Sequence, residues 1–310
     1  MATVSVVIPC YKSANTIAKV VELTKSEITA LGFDYEFVLV NDGSGQETWN
    51  AIKDLCLNDR EIKGIDFSRN FGQHAALMAA IKNSSGDYIL GMDDDLQTHP
   101  SQIPLLVNAL NDDVDLVYAT YEHKKHGLFR NAGSAFYKTT MRFLTGRDTD
   151  IQTSSFWAAK AYLRQGIMDY EASNPHVSSL FLSLTNNVTN VKVQHFDREQ
   201  GTSGYNLKKL VKTWSSCTNY STKLLGCALP TGLTICALAL AAIVVMICMP
   251  SLAQQSIPYV ALTACLVLGL SIVFDGFLSM YVAKMFSQQN NGGWKKQYVI
   301  RDSVNCNQSK

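Results

Sequence analysis

Gly86-Asp87-Tyr88-Ile89-Leu90-Gly91-Met92-Asp93-Asp94-Asp95-Leu96-Gln97-Thr98-His99-Pro100 is the stretch that decides the fold. Residues 88–92 are short and apolar enough for a buried strand, and three carboxylates follow at once. Along an extended chain successive side chains alternate faces, so Asp93 and Asp95 are expected to point one way and Asp94 the other. Two like charges on one face repel unless something positive lies between them. A hard divalent cation, Mg²⁺ or Mn²⁺, suits such a pair when phosphate oxygens and water complete its shell. In an open α/β sheet, ligands bind outside the carboxyl ends of the strands, which is where the triplet falls. An acidic turn capping the helix that Pro100 or Ser101 begins is the other reading of the same residues.

Upstream, apolar runs alternate with helical spacing. Val4-Ser5-Val6-Val7-Ile8, Glu36-Phe37-Val38-Leu39-Val40 and residues 62–67 have the β-branched, apolar character of buried strands. Residues 13–31, 48–57 and 72–82 have helical patterning, the last rich in alanines that allow close packing on a sheet. A helix near 103–110 and a strand at 115–119 follow. This alternation predicts an α/β domain with a mostly parallel sheet wound with helices. There is no GxGxxG after the first strand and no GxxxxGK[ST], so neither a dinucleotide fold of the usual kind nor a P-loop is supported. Residues 124–138 are basic and suit a substrate loop. Short helices are expected at 139–145, 162–168 and 177–184, and an edge strand at 188–196.

The chain has 310 residues, 47% hydrophobic, with a formal net charge of +1. That balance excludes a general polyanion affinity, and no nucleic-acid partner is expected. The 8 Cys show no CxxC pair or zinc spacing and are expected as reduced thiols.

Composition changes at residue 224. Residues 224–274 contain no charged side chain, and Pro250 and Pro258 bracket a polar break at Gln254-Gln255-Ser256. Each flanking run is about long enough to cross the ~30 Å hydrocarbon core. The expectation is a two-helix transmembrane hairpin within 224–283, an amphipathic membrane-surface helix at 206–223 and a cytoplasmic tail at 284–310. Lysines flank the hairpin and are absent from its connection, which puts both termini and the catalytic domain (1–205) on the cytoplasmic face of a bacterial inner membrane. Asp275 lies within the second span and should face protein or the interface.

A metal-dependent site tethered to the inner leaflet suits a nucleotide-diphosphate donor and a lipid acceptor. Asp42, after the second strand, could accept hydrogen bonds from a nucleoside or close an Asx turn. Arg69, Arg130 and Arg198 are candidate phosphate ligands, since a guanidinium grips phosphate with two donors.

The order of Val6-Val7-Ile8-Pro9-Cys10-Tyr11, Val40-Asn41-Asp42-Gly43-Ser44, Ser68-Arg69-Asn70-Phe71-Gly72 and Met92-Asp93-Asp94-Asp95-Leu96-Gln97 resembles family 2 glycosyltransferases of GT-A fold. Arg198-Glu199-Gln200-Gly201-Thr202-Ser203-Gly204-Tyr205, then Lys208-Lys209-Leu210 and two apolar runs, narrows the resemblance to the polyprenyl-phosphate glycosyltransferases. Bactoprenol glucosyltransferase and dolichol-phosphate mannose synthase belong to that group. The resemblance implies that Pro9, Tyr11 and Asp42 meet the nucleoside, with Val40 and Asp94 in the same donor site. It gives Asp93, Asp95 and Gln97 to the metal and diphosphate, and Arg130 and Arg198 to phosphate groups. It implies a nucleotide-sugar donor, UDP-sugar favoured over GDP-sugar, and a polyprenyl phosphate acceptor, undecaprenyl phosphate first. A homo-oligomer is compatible with it. Three positions depart from the pattern: Ser13 where Glu is frequent, Tyr121 where a basic residue is frequent, and Ser154-Ser155-Phe156-Trp157 in place of Gly-Asp-Phe-Arg. The alternatives are a polysaccharide-building synthase of the same family, whose processive Gln-x-x-Arg-Trp signature is absent here, and a catalytically weak membrane scaffold.

Overall fold

The computed structural model describes residues 1–121, 151–170, 175–194 and 297–306, with isolated helical positions between 264 and 285. The chain divides into two compact units. One contains residues 1–135, 149–207 and 293–310, and the other contains 136–148 and 208–292.

In the first unit eight strands form one sheet. They are β1 (Thr3–Cys10), β2 (Asp34–Asn41), β3 (Ile62–Phe67), β4 (Tyr88–Gly91), β5 (Leu116–Tyr121), β6 (Trp157–Lys160), β7 (Val188–Val193) and β8 (Ile300–Val304). Their order across the sheet is β7-β5-β6-β4-β1-β2-β3-β8. β4, β1, β2 and β3 run parallel, as expected of strands joined by helical crossovers. β6 pairs antiparallel with both β4 and β5, and β8 pairs antiparallel with β3, so the sheet is mixed rather than mostly parallel. β7 takes the edge beside β5, in parallel register.

The helices are α1 (Ile17–Ala30), α2 (Gln46–Asn58), α3 (Gln73–Lys82), α4 (Ile103–Val107), α5 (Arg164–Met168) and α6 (Val177–Leu184). β1 is buried from Val4 onward, because helices cover both of its faces. Val4, Val6 and Ile8 alternate onto the face shared with Ile17, Val20, Val21 and Ile28 of α1. α3 packs against β1 and β2 through its alanines, all buried, where larger side chains would hold the helix off the sheet. α1 begins four residues later than its pattern suggests, since residues 11–16 form turns beside the site. α4 stops at Val107 and is preceded by a 3₁₀ turn at Pro100–Gln102.

Two strands are absent from the sequence-based expectation. β6 has only four residues, WAAK, without alternation. β8 lies in the segment expected to be a tail, yet it folds back onto β3. The expected membrane-surface helix at 206–223 and most of the hairpin lie outside the described residues, as do Arg130, Arg198 and the basic loop. Among the described residues no helix is long and apolar enough to cross a membrane.

Candidate active site

Parallel pairing brings the carboxyl ends of β4, β1 and β2 to one edge of the sheet. Pro9 pairs with Val40 and Cys10 with Asn41, which sets Tyr11 beside Asp42 in sequence register. Pro9 and Val40 are themselves buried within the sheet. Asp93, Asp94 and Asp95 follow β4 at the same edge.

The three carboxylates have different partners. Asp93 Oδ1 accepts from Gln73 Nε2 of α3 at 2.8 Å, and its Oδ2 accepts from the Ser155 hydroxyl just before β6. Asp95 Oδ1 accepts the backbone N–H of Gln97 at 3.1 Å. Between them Leu96 has φ 58°, a left-handed conformation uncommon for a bulky side chain. Its burial in the core holds the turn in that shape. Asp94 points the other way and accepts the backbone N–H of Tyr11 at 2.9 Å. Burial raises the pKa of Asp94, while the Tyr11 amide and the Ser13 hydroxyl pull it down. Ser13 is buried beside Asp94, where a Glu would add a second carboxylate in poor solvent. The Tyr11 ring is about half exposed, at 51%, and stands over the edge.

Tyr121, at the end of β5, faces the acidic pair. Burial, then the charges of Asp93 and Asp95, push its hydroxyl up to about 12. It stays a neutral phenol where a basic residue would offer a cation. The other departing segment is also at this site. Trp157 pairs with Gly91, and its indole fills the space that a Cβ on Gly91 would enter, at 2.2 Å. Phe156 is wholly buried, so Ser155 is the member of this segment that reaches the triplet.

Asp42 is 3% exposed. Its Oδ1 accepts from the Phe71 N–H at 2.7 Å and its Oδ2 from the Gly72 N–H at 2.9 Å. Burial raises its pKa, and these two amides oppose the rise. Asp42 therefore holds the loop 68–72 to the turn after β2. Gly43, at φ 62°, lets the two backbones touch: a Cβ there would meet the Arg69 carbonyl carbon at 2.2 Å. The Arg69 guanidinium lies over the Phe71 ring, 4.3 Å from its centroid.

The structure thus brings together Tyr11, Asp42, Asp93, Asp94, Asp95 and Gln97 at one edge. Gln73 and Ser155 are part of the site and were not foreseen; the polar start of α3 after Phe71-Gly72, next to a resembling motif, is the signal that could have drawn attention to Gln73. Among the described residues no three His, Cys, Asp or Glu side chains converge as a metal cage. Asp93, Asp95 and Gln97 offer oxygens only, and both carboxylates keep lone pairs beyond the bonds described. That donor chemistry fits a hard cation sharing its shell with phosphate and water.

Among solved structures, the chain resembles the crystal structure of glucosyl-3-phosphoglycerate synthase from Mycobacterium tuberculosis, with a TM-score of 0.50 at 18% identity, over 71% of this chain and 81% of that one. The likeness is one of fold. Two curated relatives are both named undecaprenyl-phosphate 4-deoxy-4-formamido-L-arabinose transferase. The one from Edwardsiella ictaluri is 25% identical over 98% of this chain and 95% of its own length. The one from Yersinia enterocolitica is 30% identical over 67% of this chain and 64% of its own length. The family model "Glycosyl transferase family 2" matches residues 5–168, a span that holds every described site residue, and the chain belongs to that family of glycosyltransferases.

Proposed function

We propose that this chain transfers a sugar from a nucleotide-sugar to a polyprenyl phosphate, undecaprenyl phosphate first, at the cytoplasmic face of a bacterial membrane. The observation that carries the reading is the divided triplet. Asp93 and Asp95 share one side with Tyr121, and Asp94 turns back to Tyr11. One side suits a diphosphate and its cation; the other suits the nucleoside. The names of the two curated relatives support the lipid acceptor.

In this reading Tyr11 offers its exposed ring to the base. Asp42 fixes the loop 68–72 that bounds the same end of the site. Asp93, Asp95 and Gln97 hold Mg²⁺ or Mn²⁺, which when bound would neutralise the departing diphosphate. Ser155 and Gln73 keep Asp93 in place. Arg130 and Arg198 remain the proposed phosphate ligands. A UDP-sugar remains the favoured donor. Leu278, Val282 and Met285, exposed and at helical spacing, support an apolar surface turned to lipid in the span proposed for 257–283 and just beyond it.

A donor screen tests the proposal. Purified full-length protein receives undecaprenyl phosphate and labelled UDP- or GDP-sugars, including a 4-deoxy-4-formamido-L-arabinose donor, with and without EDTA. Lipid-extractable label that disappears with EDTA is the expected result. Absence of label with every donor, from folded protein, would favour the scaffold alternative; undiminished label in EDTA would remove the cation.

A further inference from the structure

We propose that Arg301 and Tyr298, from the carboxyl-terminal segment, are positioning residues of the donor site; this rests on the nucleotide-sugar reading above. Two separate paths lead from that segment to Asp42.

The first path is polar. Asp66 on β3 is wholly buried. Its Oδ2 accepts from Arg301 Nε at 2.6 Å, and Arg301 Nη2 lies at 2.6 Å from the same oxygen. Its Oδ1 accepts from Asn41 Nδ2 at 2.8 Å. Asn41 Oδ1 in turn accepts from the Ser44 hydroxyl at 2.6 Å and from the Ser44 N–H at 3.3 Å. Arg301 thereby orients the turn that carries Asp42.

The second path is aromatic. Tyr298 stacks on Phe67, with centroids 5.0 Å apart and planes at 11°. Phe67 meets Phe71 edge-on at 5.6 Å. Phe71 gives its N–H to Asp42. The Ser68 N–H also donates to the Val299 carbonyl at 2.9 Å, which fixes the start of the loop.

The register of β8 suits this role. Asp66 pairs with Asp302 and Phe67 with Ile300, so Arg301 is the extra residue of a bulge. Bulges beside functional sites re-aim a side chain, and this one aims Arg301 at Asp66. Holding an edge strand does not require a buried carboxylate, since apolar residues often serve stability as well or better. The ion pair instead fixes the geometry of Asn41. In sequence, residues 297–305 follow the uncharged segment, so the donor loops and the chain leaving that segment meet on β3.

The experiment is titration of full-length protein in detergent with UDP and with GDP, in the presence of Mn²⁺, followed by steady-state kinetics. The variants are Arg301→Gln, Arg301→Lys, Tyr298→Leu and, as a control, Asn305→Ala. Asn305 lies just beyond β8 and donates to the Cys56 and Ile62 carbonyls, away from both loops. Arg301→Gln should weaken binding of the nucleotide that the unaltered protein binds by about tenfold, within the usual range of coupling between linked sites. Arg301→Lys should recover part of that loss. Donor KM should rise with it, while kcat changes by less than about threefold and acceptor KM stays fixed. Asn305→Ala should lower Tm and leave nucleotide affinity unchanged. Unchanged affinity in folded Arg301→Gln, or an equal loss in Asn305→Ala, would overturn the proposal. If Arg301→Gln does not fold, Tyr298→Leu decides by the same criterion. If the unaltered protein binds neither nucleotide, the donor reading itself fails, and this inference with it.

Discussion

The carboxylate of Asp94 accepts the backbone N–H of Tyr11 at 2.9 Å, joining the acidic triplet after β4 to the end of β1 across 83 positions of chain. The bond explains the order of the triplet. Its middle member belongs to the neighbouring strand, and only the outer two remain together beside Tyr121.

Substitution of Asp94 should therefore act on donor binding through Tyr11. Asp94→Asn keeps an acceptor oxygen for the Tyr11 amide and should be mild. Asp94→Ala leaves that N–H without its partner, a loss of about 1–3 kcal/mol for a group shielded from water. Donor KM should rise in Asp94→Ala with little change in kcat. Equal KM values for Asp94→Ala and the unaltered enzyme would separate Tyr11 from the donor.

Asp95→Asn should behave differently. It keeps the Gln97 turn, since an amide oxygen can still accept that N–H, but it removes a charge from the proposed cation site. A cation supplies several kcal/mol of charge stabilisation, and each ~1.4 kcal/mol is tenfold in rate. Transfer should fall by about a hundredfold or more, with Tm near that of the unaltered protein. Near-normal transfer with unchanged metal dependence would remove Asp95 from the site.

Gly91→Ala should damage the same site from behind. A Cβ at residue 91 would meet the Trp157 indole at 2.2 Å. Trp157 is 1% exposed and has no free space to enter. Overpacking of this kind costs about 1–3 kcal/mol, so Tm should fall. Because Ser155 lies two residues before Trp157 and holds Asp93, activity should fall further than Tm alone would account for. Unchanged Tm would show that β6 yields easily.

These residues also show what could be read in advance. Strands β1 to β5 were legible because runs such as VSVVI and EFVLV are buried on both faces and carry their signal locally. The placement of Asp93 and Asp95 followed from alternation after such a strand. The partner of Asp42 was not legible, because its two amides come from residues 29 and 30 positions later and any backbone N–H could have served. β6 and β8 escaped for a related reason. Four residues of WAAK, or an exposed IRDSV, become strands only because β4 and β3 offer an unpaired edge. Ser155 looked like a departure from a pattern, and only the fold shows its hydroxyl on Asp93.

Away from the site, Asp115 should govern acid stability. Burial alone would raise its pKa, but hydrogen bonds involving Lys160, Tyr162, Thr185 and Asn187 outweigh that and lower it from 3.8 to about 2. A carboxylate whose folded pKa lies below its unfolded value stabilises the fold fully above the unfolded value. That contribution disappears as pH falls through the folded one. Asp115→Asn should therefore lower Tm at neutral pH, and the gap from the unaltered protein should close between pH 3.8 and about 2. A gap that is constant across this window would assign the effect to packing instead of charge.

The last prediction concerns the nucleophile. A hydroxyl acceptor needs a general base, because its pKa is far above 7. A lipid monophosphate has a second pKa of about 6, like other phosphate monoesters, and is ionised at neutral pH. The described carboxylates already have other tasks: Asp42 holds a loop, Asp94 holds Tyr11, and Asp93 is bonded by Ser155 and Gln73. No carboxylate is then required as a base. The lipid phosphate oxygen forms the new bond to the anomeric carbon while the bond to the donor diphosphate breaks, and the nucleotide leaves as its diphosphate. A single displacement inverts the anomeric centre, so an α-linked donor should give a β-linked lipid product. NMR of the product reports this directly. The rate should rise with pH through about 6 as the acceptor phosphate ionises, then level off. A retained linkage, or a trapped glycosyl-enzyme, would exclude the single step; a rate limited instead by a protein group would leave that rise unchanged when the acceptor is replaced by a phosphonate of different pKa.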